Sequence, residues 1–358
     1  MRRAPRSGAA SATMPGLRIR LHAALIALLV TTAWPAPAAE RVAAVKPPEP
    51  LTLEGSAFGG SLHIEVPASV GAEKALIAAL RAIQAAQAET ELSSGPLADL
   101  NRAAGSGARK VDAKLLGTLA RASTFCRWSE GSQGPLGGPL NEVWGLRVPR
   151  PSLPTVEGLE QATAAAECDR LSVDVAQGTA TLAAGSRIDL WSFEAGAALD
   201  RAVEVLVAGG VRDASLTLGN VQRAVGGGPD GKGWPLLVQV PPALAMFTAD
   251  LRLRDQSFAL ASREDGELRA GGERYPPYLD QHTGRPATGV LATVAISQLA
   301  LDAQGLAAAL FVTGSRRGGM LLGQLKPAPA ALWALGDGNG EPLVADYRWG
   351  GRQRRGGS

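Results

Sequence analysis

The stretch Tyr275-Pro276-Pro277-Tyr278-Leu279-Asp280-Gln281-His282-Thr283-Gly284-Arg285-Pro286 constrains the fold more than any other part of the chain. Pro276 and Pro277 fix φ and remove two N–H donors on entry, Thr283-Gly284 supplies a turn, and Pro286 blocks a helix on exit. What remains is a rigid loop that presents Asp280.

Regular elements are legible on both sides of this loop. From Phe58, the alternation of Leu62, Ile64 and Val66 with His63 and Glu65 predicts a half-buried strand with His63 on the surface. Leu76, Leu80 and Ile83 at helical spacing predict a long amphipathic helix from Ala72 to Glu91, stopping near Ser93-Ser94-Gly95-Pro96. Asp112 caps a second helix that carries Leu115, Leu119 and Ala122 on one face. The glycines and prolines after Ser129 exclude regular structure until Leu140. Leu171, Val173 and Val175, followed by Thr179 to Leu182, read as a hairpin.

The run from Ile188 enters a helix that continues through Val203 and Leu206 to a Gly209-Gly210 stop. A strand, a tight turn and a helix start form a device for holding phosphate, because free N–H groups converge there. Leu236 to Val240, Ala245 to Leu253 and Phe258 to Ser262 read as strands, as does the stretch carrying Val290, Ala292, Val294 and Ile296. A helix from Ala303 is ended by Arg316-Arg317-Gly318-Gly319, and Ala331 to Leu335 is read as the final strand.

The chain has 358 residues, 46% hydrophobic and 19% charged, enough to bury a substantial core in one large domain or two. Residues 1–39 read as a secretory signal: Arg2, Arg3, Arg6, Arg18 and Arg20 precede an apolar run from Leu21 to Val30, and Ala36-Pro37-Ala38 forms a cleavage site. That apolar run is short for a membrane span, so no stable span is expected after processing. Losing those five cations, with no acid among residues 1–39, takes the formal charge from +3 to −2. Nucleic acid is thereby excluded as an expected partner, since the remaining cluster of Arg348, Arg352, Arg354 and Arg355 lies in a Gly-rich tail over residues 348–358. Residues 40–50 read as a linker, and 51–347 as the folded body. The predicted location is the periplasm or the exterior, where Cys126 and Cys168 form either a disulfide or two buried thiols.

Several segments, taken in order, resemble the FAD:protein FMN transferase (ApbE-type flavin transferase) family. The opening loop is similar to the family's HxxDPxTGxP, with Asp280, Thr283, Gly284 and Pro286 in register, Pro277 at the histidine and Gln281 at the first proline. Gly131, Gly138, Pro139, Leu140, Trp144 and Gly145 match GAFDxTxGPLxxLWGF, but Ser132-Gln133-Gly134 stands where Ala-Phe-Asp is usual. Asp189, Leu190, Gly196 and Asp200 match DLGGxxKGxxxD. There Trp191 and Ser192 replace the paired glycines, Ala195 replaces the lysine, and the Trp ring would obstruct close backbone approach to a nucleotide. Gly219-Asn220 resembles the NxGGD/N turn, Gly226 to Trp234 the PDGxPW loop, and Ala261-Ser262-Arg263 the TSG loop. Gln304 and Ala308 occupy the Asp and Thr of ADAxxT.

The resemblance implies an α+β fold, with mixed or antiparallel sheets flanked by helices in a two-lobed arrangement. The amino-terminal helices would form one lobe and Asp189 to Leu335 most of the other. It also implies transfer of FMN from FAD to a threonine of an acceptor protein with release of AMP, a Mg²⁺-assisted phosphoryl transfer. Asp189, Gly196, Gly219, Asn220, Leu279 and Asp280 are the implied cofactor-binding residues, and Asp189, Gly219-Asn220, Asp280 and the helix start near Gln304 should meet at one cleft. No metal ligands are assigned, since Gln304 offers one neutral carbonyl, Ala308 nothing, and Asp302 falls on the opposite helix face. Two readings follow. In one the chain is a catalytically degenerate pseudoenzyme that keeps a flavin-binding or partner-binding role toward a flavinylation acceptor or redox protein; in the other it is an active, divergent transferase. Hydrolase readings are poorer, because the mature chain offers only His63 and His282 as histidine bases.

Overall fold

Alternating apolar residues build one antiparallel sheet whose strands lie in chain order. The strands are β1 (Leu51–Ala57), β2 (Gly60–Val66), β3 (Ala214–Leu218), β4 (Val221–Val225), β5 (Ser257–Ser262), β6 (Val290–Ser297), β7 (Ala330–Leu335) and β8 (Leu343–Tyr347). Each is antiparallel to the next. The helices are α1 (Ala72–Thr90), α2 (Pro96–Arg102), α3 (Ala113–Trp128), α4 (Gly138–Trp144), α5 (Val156–Ala165), α6 (Glu194–Ala208), α7 (Pro242–Thr248) and α8 (Ala300–Leu322). This computed structural model describes residues 49–146, 152–266, 268–336 and 340–349. The expected signal segment, most of the expected linker and most of the basic tail lie outside the described residues.

The sheet is covered on both faces. In β5 the alternation is direct: Ala259 and Ala261 join the core that contains Leu306 and Leu310 of α8, while Phe258 and Leu260 join a second core with Trp234, Leu244 and Trp349. All six β5 residues are therefore buried. Leu76 and Ile83 of α1, Leu115 and Leu119 of α3, and Leu199 and Leu206 of α6 belong to the same core. The amino-terminal helices and the Asp189–Leu335 region are thus continuous within one compact unit of the described residues.

Several expected elements take their predicted form. Leu62, Ile64 and Val66 are fully buried, and His63 pairs with Glu54 of β1 at 2.5 Å. Asp112 accepts the Lys114 N–H and caps α3. Leu171–Asp174 and Thr179–Leu182 pair as the expected hairpin. Cys126 and Cys168 form a disulfide with a Cα separation of 5.7 Å, which decides between the two cysteine readings.

Other expectations are corrected. Phe58 is in the β1–β2 turn with φ 51°, so the first strand pair begins earlier, at Leu51. Helix α4 starts at Gly138, two residues before the expected limit, because Pro139 is compatible with a first turn. The stretch from Ala245 is α7, with only Arg252–Leu253 extended: Pro242 at the first helical position and a run of Ala, Leu and Met outweigh the apparent alternation. Leu236 to Val240 forms no strand; the extended pair there is Trp234–Pro235 with Arg252–Leu253. Helix α8 does not stop at Arg316 to Gly319. It breaks at Gly314 (φ 68°) and resumes to Leu322, with Gly318 packed against Leu310 and Trp333. Nor is β7 the last strand, since β8 pairs along its outer edge.

Candidate functional site

Three tight structures converge at one end of the sheet. The β3–β4 turn places Gly219 at φ 53°, and its N–H donates to Ser61 O at 2.9 Å. A Cβ on Gly60 would stand 3.1 Å from the Gly219 backbone, so both turns rely on glycine for close approach. The third structure is the junction of α6 with α8. Both carboxylate oxygens of Asp200 accept backbone N–H groups at the start of α8, Ala300 at 2.9 Å and Leu301 at 3.0 Å. Gly196 faces the same place, where a Cβ would lie 2.4 Å from Ala300 O.

These elements enclose a cavity of about 270 Å³. It is lined by Phe58 and Gly59 of the first turn, Gly219 and Asn220 of the second, Trp191, Glu194 and Ala195 at the start of α6, Gln304 and Ala308 of α8, and Asp265 and Tyr278. A polar cavity of about 20 Å³, room for a single water, lies beside it and shares Trp191, Ser192 and Tyr278 with the first. The Trp191 and Tyr278 rings, 5.1 Å apart between centroids, belong to both linings, and Tyr278 continues the stack onto Phe311 at 4.6 Å.

The site residues inferred from sequence separate between these places. Gly219 and Asn220 line the 270 Å³ cavity, whereas Asp189 and Leu279 line the small one. Asp189 accepts the Trp191 N–H at 3.0 Å and the Asn141 amide at 2.9 Å. Asp280 lines neither: its carboxylate accepts the His282 N–H at 2.9 Å and its carbonyl accepts the Gly284 N–H at 2.7 Å, so it closes its own turn. Convergence on a single cleft therefore holds for the Gly219-Asn220 turn and Gln304, not for Asp189 and Asp280. Gly196 serves the α6–α8 contact. Asp302 faces away from the cavity and forms a two-pronged pair with Arg121, at 2.6 Å for each contact.

Asp265 was not singled out by sequence, yet it organises the cavity. One carboxylate oxygen accepts the Asn220 amide at 2.5 Å; the other accepts the Tyr278 hydroxyl at 2.5 Å and the Ser262 N–H at 2.8 Å. Burial pushes the Asp265 carboxyl above its ordinary value, against these three bonds, and burial beside Asp265 pushes the Tyr278 hydroxyl well up. Only the spacing of Asp265 behind Ser262 hinted at a turn. Ser262 is three residues away, while Asn220 and Tyr278 come from other parts of the chain.

Residues 58–333 match the ApbE family. The chain belongs to the ApbE family. Over 259 residues it is 29% identical to the FAD:protein FMN transferase of Treponema pallidum, the match covering 67% of this chain and 71% of that protein. Over 213 residues it is 26% identical to the FAD:protein FMN transferase of Haemophilus influenzae, covering 57% of this chain and 62% of that relative's length. In fold it is similar to the apo form of the Pseudomonas stutzeri flavinyl transferase ApbE, with a TM-score of 0.73 at 22% identity over 85% of this chain and 96% of that one. The α+β architecture with antiparallel sheets is that of the ApbE fold.

Against the ApbE motifs, three departing residues, Gln133, Gln281 and Gln304, are bonded to other departing positions, whereas Ser132 Oγ and Gln281 Oε1 are buried without a partner among the described residues. Gln133, in the Ala-Phe-Asp segment, donates to Ser192, at the second missing glycine, at 2.9 Å. Gln281, at the missing proline, donates to the carbonyl of Gly134, at the missing Asp, at 2.9 Å. Gln304 accepts the Gly196 N–H at 2.8 Å and donates to the carbonyl of Trp191, at the first missing glycine, at 3.1 Å. A Mg²⁺ ion needs several oxygens and a carboxylate. Here the side-chain oxygen of Gln304 is taken by the Gly196 N–H, its amide nitrogen faces the Trp191 carbonyl, and Ala308 has no donor atom. The residues present do not fit the ion.

Proposed function

We propose that this ApbE-family protein is an exported flavin-binding protein that does not carry out Mg²⁺-dependent FMN transfer. The observation that carries the reading is the bonding of Gln304 to Gly196 and Trp191. Loss of a carboxylate alone would leave a hole. Here a neutral carboxamide joins α8 to the turn before α6, and two further pairs of replaced positions are bonded in the same way. Among the described residues, the cavity lining carries no cation to offset a pyrophosphate in the transition state.

Flavin as the ligand is supported by the family and by the aromatic lining of Phe58, Trp191 and Tyr278. Export is supported by the Cys126–Cys168 disulfide, a bond favoured outside the cytosol. The partner class that suits a bound, untransferred flavin is a redox protein.

Incubation of the mature protein with FAD, Mg²⁺ and a threonine-containing acceptor tests this reading, with AMP release and covalent acceptor fluorescence as the readouts. Neither is expected. The missing metal ligands alone correspond to roughly a thousandfold loss of rate or more, and Gln304→Asp alone is expected to restore little, because Ala195, Pro277 and Ala308 also depart. Robust Mg²⁺-dependent turnover would establish the active, divergent transferase in its place.

A further inference from the structure

We infer that Trp191, Tyr278 and Asp265 form a proton-coupled electron donor that quenches a flavin held in the cavity whenever it absorbs light. This rests on the flavin-binding reading above and adds an activity to it, the return of an excited flavin to its ground state within the site.

The first observation is which side chains face the ligand. Among the described residues lining the cavity of about 270 Å³, Trp191 and Tyr278 are the two that can lose one electron; Phe58 is not oxidised under such conditions, and no Met or Cys is present. The adjoining hollow of about 540 Å³, which shares Phe58, Gly59 and Glu194 with the cavity, adds no Trp, Tyr, Met or Cys. Trp191 is half-buried and Tyr278 only 7% exposed, so the indole is the more accessible ring. Its backbone is fixed, with the N–H given to Asp189 at 3.0 Å and the carbonyl accepting the Gln304 amide at 3.1 Å. Trp191 is also one of the departures from the ApbE motif, so this donor belongs to the chain and not to the motif.

The second is the path behind the indole. The Trp191 and Tyr278 ring centroids lie 5.1 Å apart, close enough for an electron to pass directly between the rings. The Tyr278 hydroxyl donates to an Asp265 carboxylate oxygen at 2.5 Å, a short charge-assisted bond. A phenol that loses an electron becomes a strong acid, and here the acceptor for its proton already stands within hydrogen-bond reach. Burial pushes the Asp265 carboxyl above its ordinary value, which strengthens its hold on an incoming proton. Burial likewise pushes the Tyr278 hydroxyl well up, so the ring keeps its proton until it is oxidised.

The steps balance without a further reagent. What the flavin brings is the oxidant, since absorbed blue light makes it a strong one-electron acceptor. Trp191 gives up one electron and takes one from Tyr278; the Tyr278 O–H bond breaks and its proton joins the Asp265 carboxylate. Return of the electron to Tyr278 and of the proton from Asp265 restores every group, and the absorbed energy leaves as heat.

Retention of riboflavin, FMN and FAD on ultrafiltration of the mature protein separates binding from quenching, and the flavin retained best serves as the probe. Bound to the wild type, it should lose most of its fluorescence lifetime relative to free riboflavin. A blue flash should yield a neutral tyrosyl radical in transient absorption, formed more slowly in heavy water because a proton moves with the electron. Trp191→Phe should recover the lifetime, whereas Tyr278→Phe should lose the tyrosyl signal while the flavin stays dark. A bound flavin that keeps the lifetime of free riboflavin overturns the inference and leaves the flavin-binding reading intact. Retention of none of the three overturns both. A dark flavin in Trp191→Phe overturns the role of Trp191; a missing tyrosyl signal, or one formed equally fast in heavy water, overturns that of Tyr278 and Asp265. The wild-type lifetime, flash and heavy-water measurements decide the inference even if a variant misfolds.

Discussion

At the scale of single residues, Asp200 shows how a side chain in a recognisable motif acquires a role from a remote partner. Its oxygens hold the start of α8, one hundred residues away, and Arg223 Nε lies 3.4 Å from one of them. Burial nevertheless outweighs these contacts and pushes the Asp200 carboxyl up to about 6, with Asp302 adding repulsion. The folded state then holds the proton more tightly than the unfolded chain. The associated stability is fully present below the unfolded value and is lost as pH rises through about 6, by an amount on the order of 3 kcal/mol. In Asp200→Asn this falling limb should vanish, so urea unfolding should show the variant gaining on the wild type between about pH 4 and pH 7. A constant difference across that range would place the titration elsewhere.

At the scale of elements, the α6–α8 junction is the contact on which the cavity depends, and Gly196 permits it. An added Cβ would stand 2.4 Å from Ala300 O and 2.5 Å from Leu301 N, against helix backbone that has no side-chain freedom to yield. Gly196→Ala should therefore cost about 1–3 kcal/mol, read as a lower urea midpoint at unchanged slope. Gly117 in α3 faces open space, so Gly117→Ala is the control and should be neutral or stabilising by about 0.5–1 kcal/mol. Equal losses in the two variants would refute steric packing as the role of Gly196. The same scale explains the misread α7. Alternation alone cannot separate a short strand from a short helix, and there the burial of Leu244 and Thr248 follows helical spacing against the second face of the sheet.

At the scale of the whole molecule, the disulfide ties the end of α3 to the turn before Leu171, closing a loop with a sequence separation of 42 residues. Cross-linking a loop of that length stabilises by about 4 kcal/mol in the chain-entropy account. A Cys126→Ala, Cys168→Ala double variant should lose about 2–4 kcal/mol in urea unfolding. Intact-mass measurement on exported material should find a chain starting near Ala39 or Glu40 and lighter by the two hydrogens lost on oxidation. A chain retaining Met1, or one with both thiols reduced, would contradict export into an oxidising compartment.

The sequence by itself determined most of the elements and the family. Leu62, Ile64 and Val66, the α1 stripe, the Asp112 cap and the ordered motifs around Asp189, Gly219 and Asp280 rest on local periodicity, turn chemistry and spacing, all read within a few residues. It also showed that the metal positions hold Gln304 and Ala308. Only the tertiary structure decided what those replacements do. Whether Gln304 is a gap or a bond depends on where Trp191 and Gly196 lie, more than one hundred residues earlier, and the role of Asp265 depends on Asn220 and Tyr278. Hydrogen bonds and charge act over a few ångströms in space, and folding brings those groups together irrespective of their order along the chain.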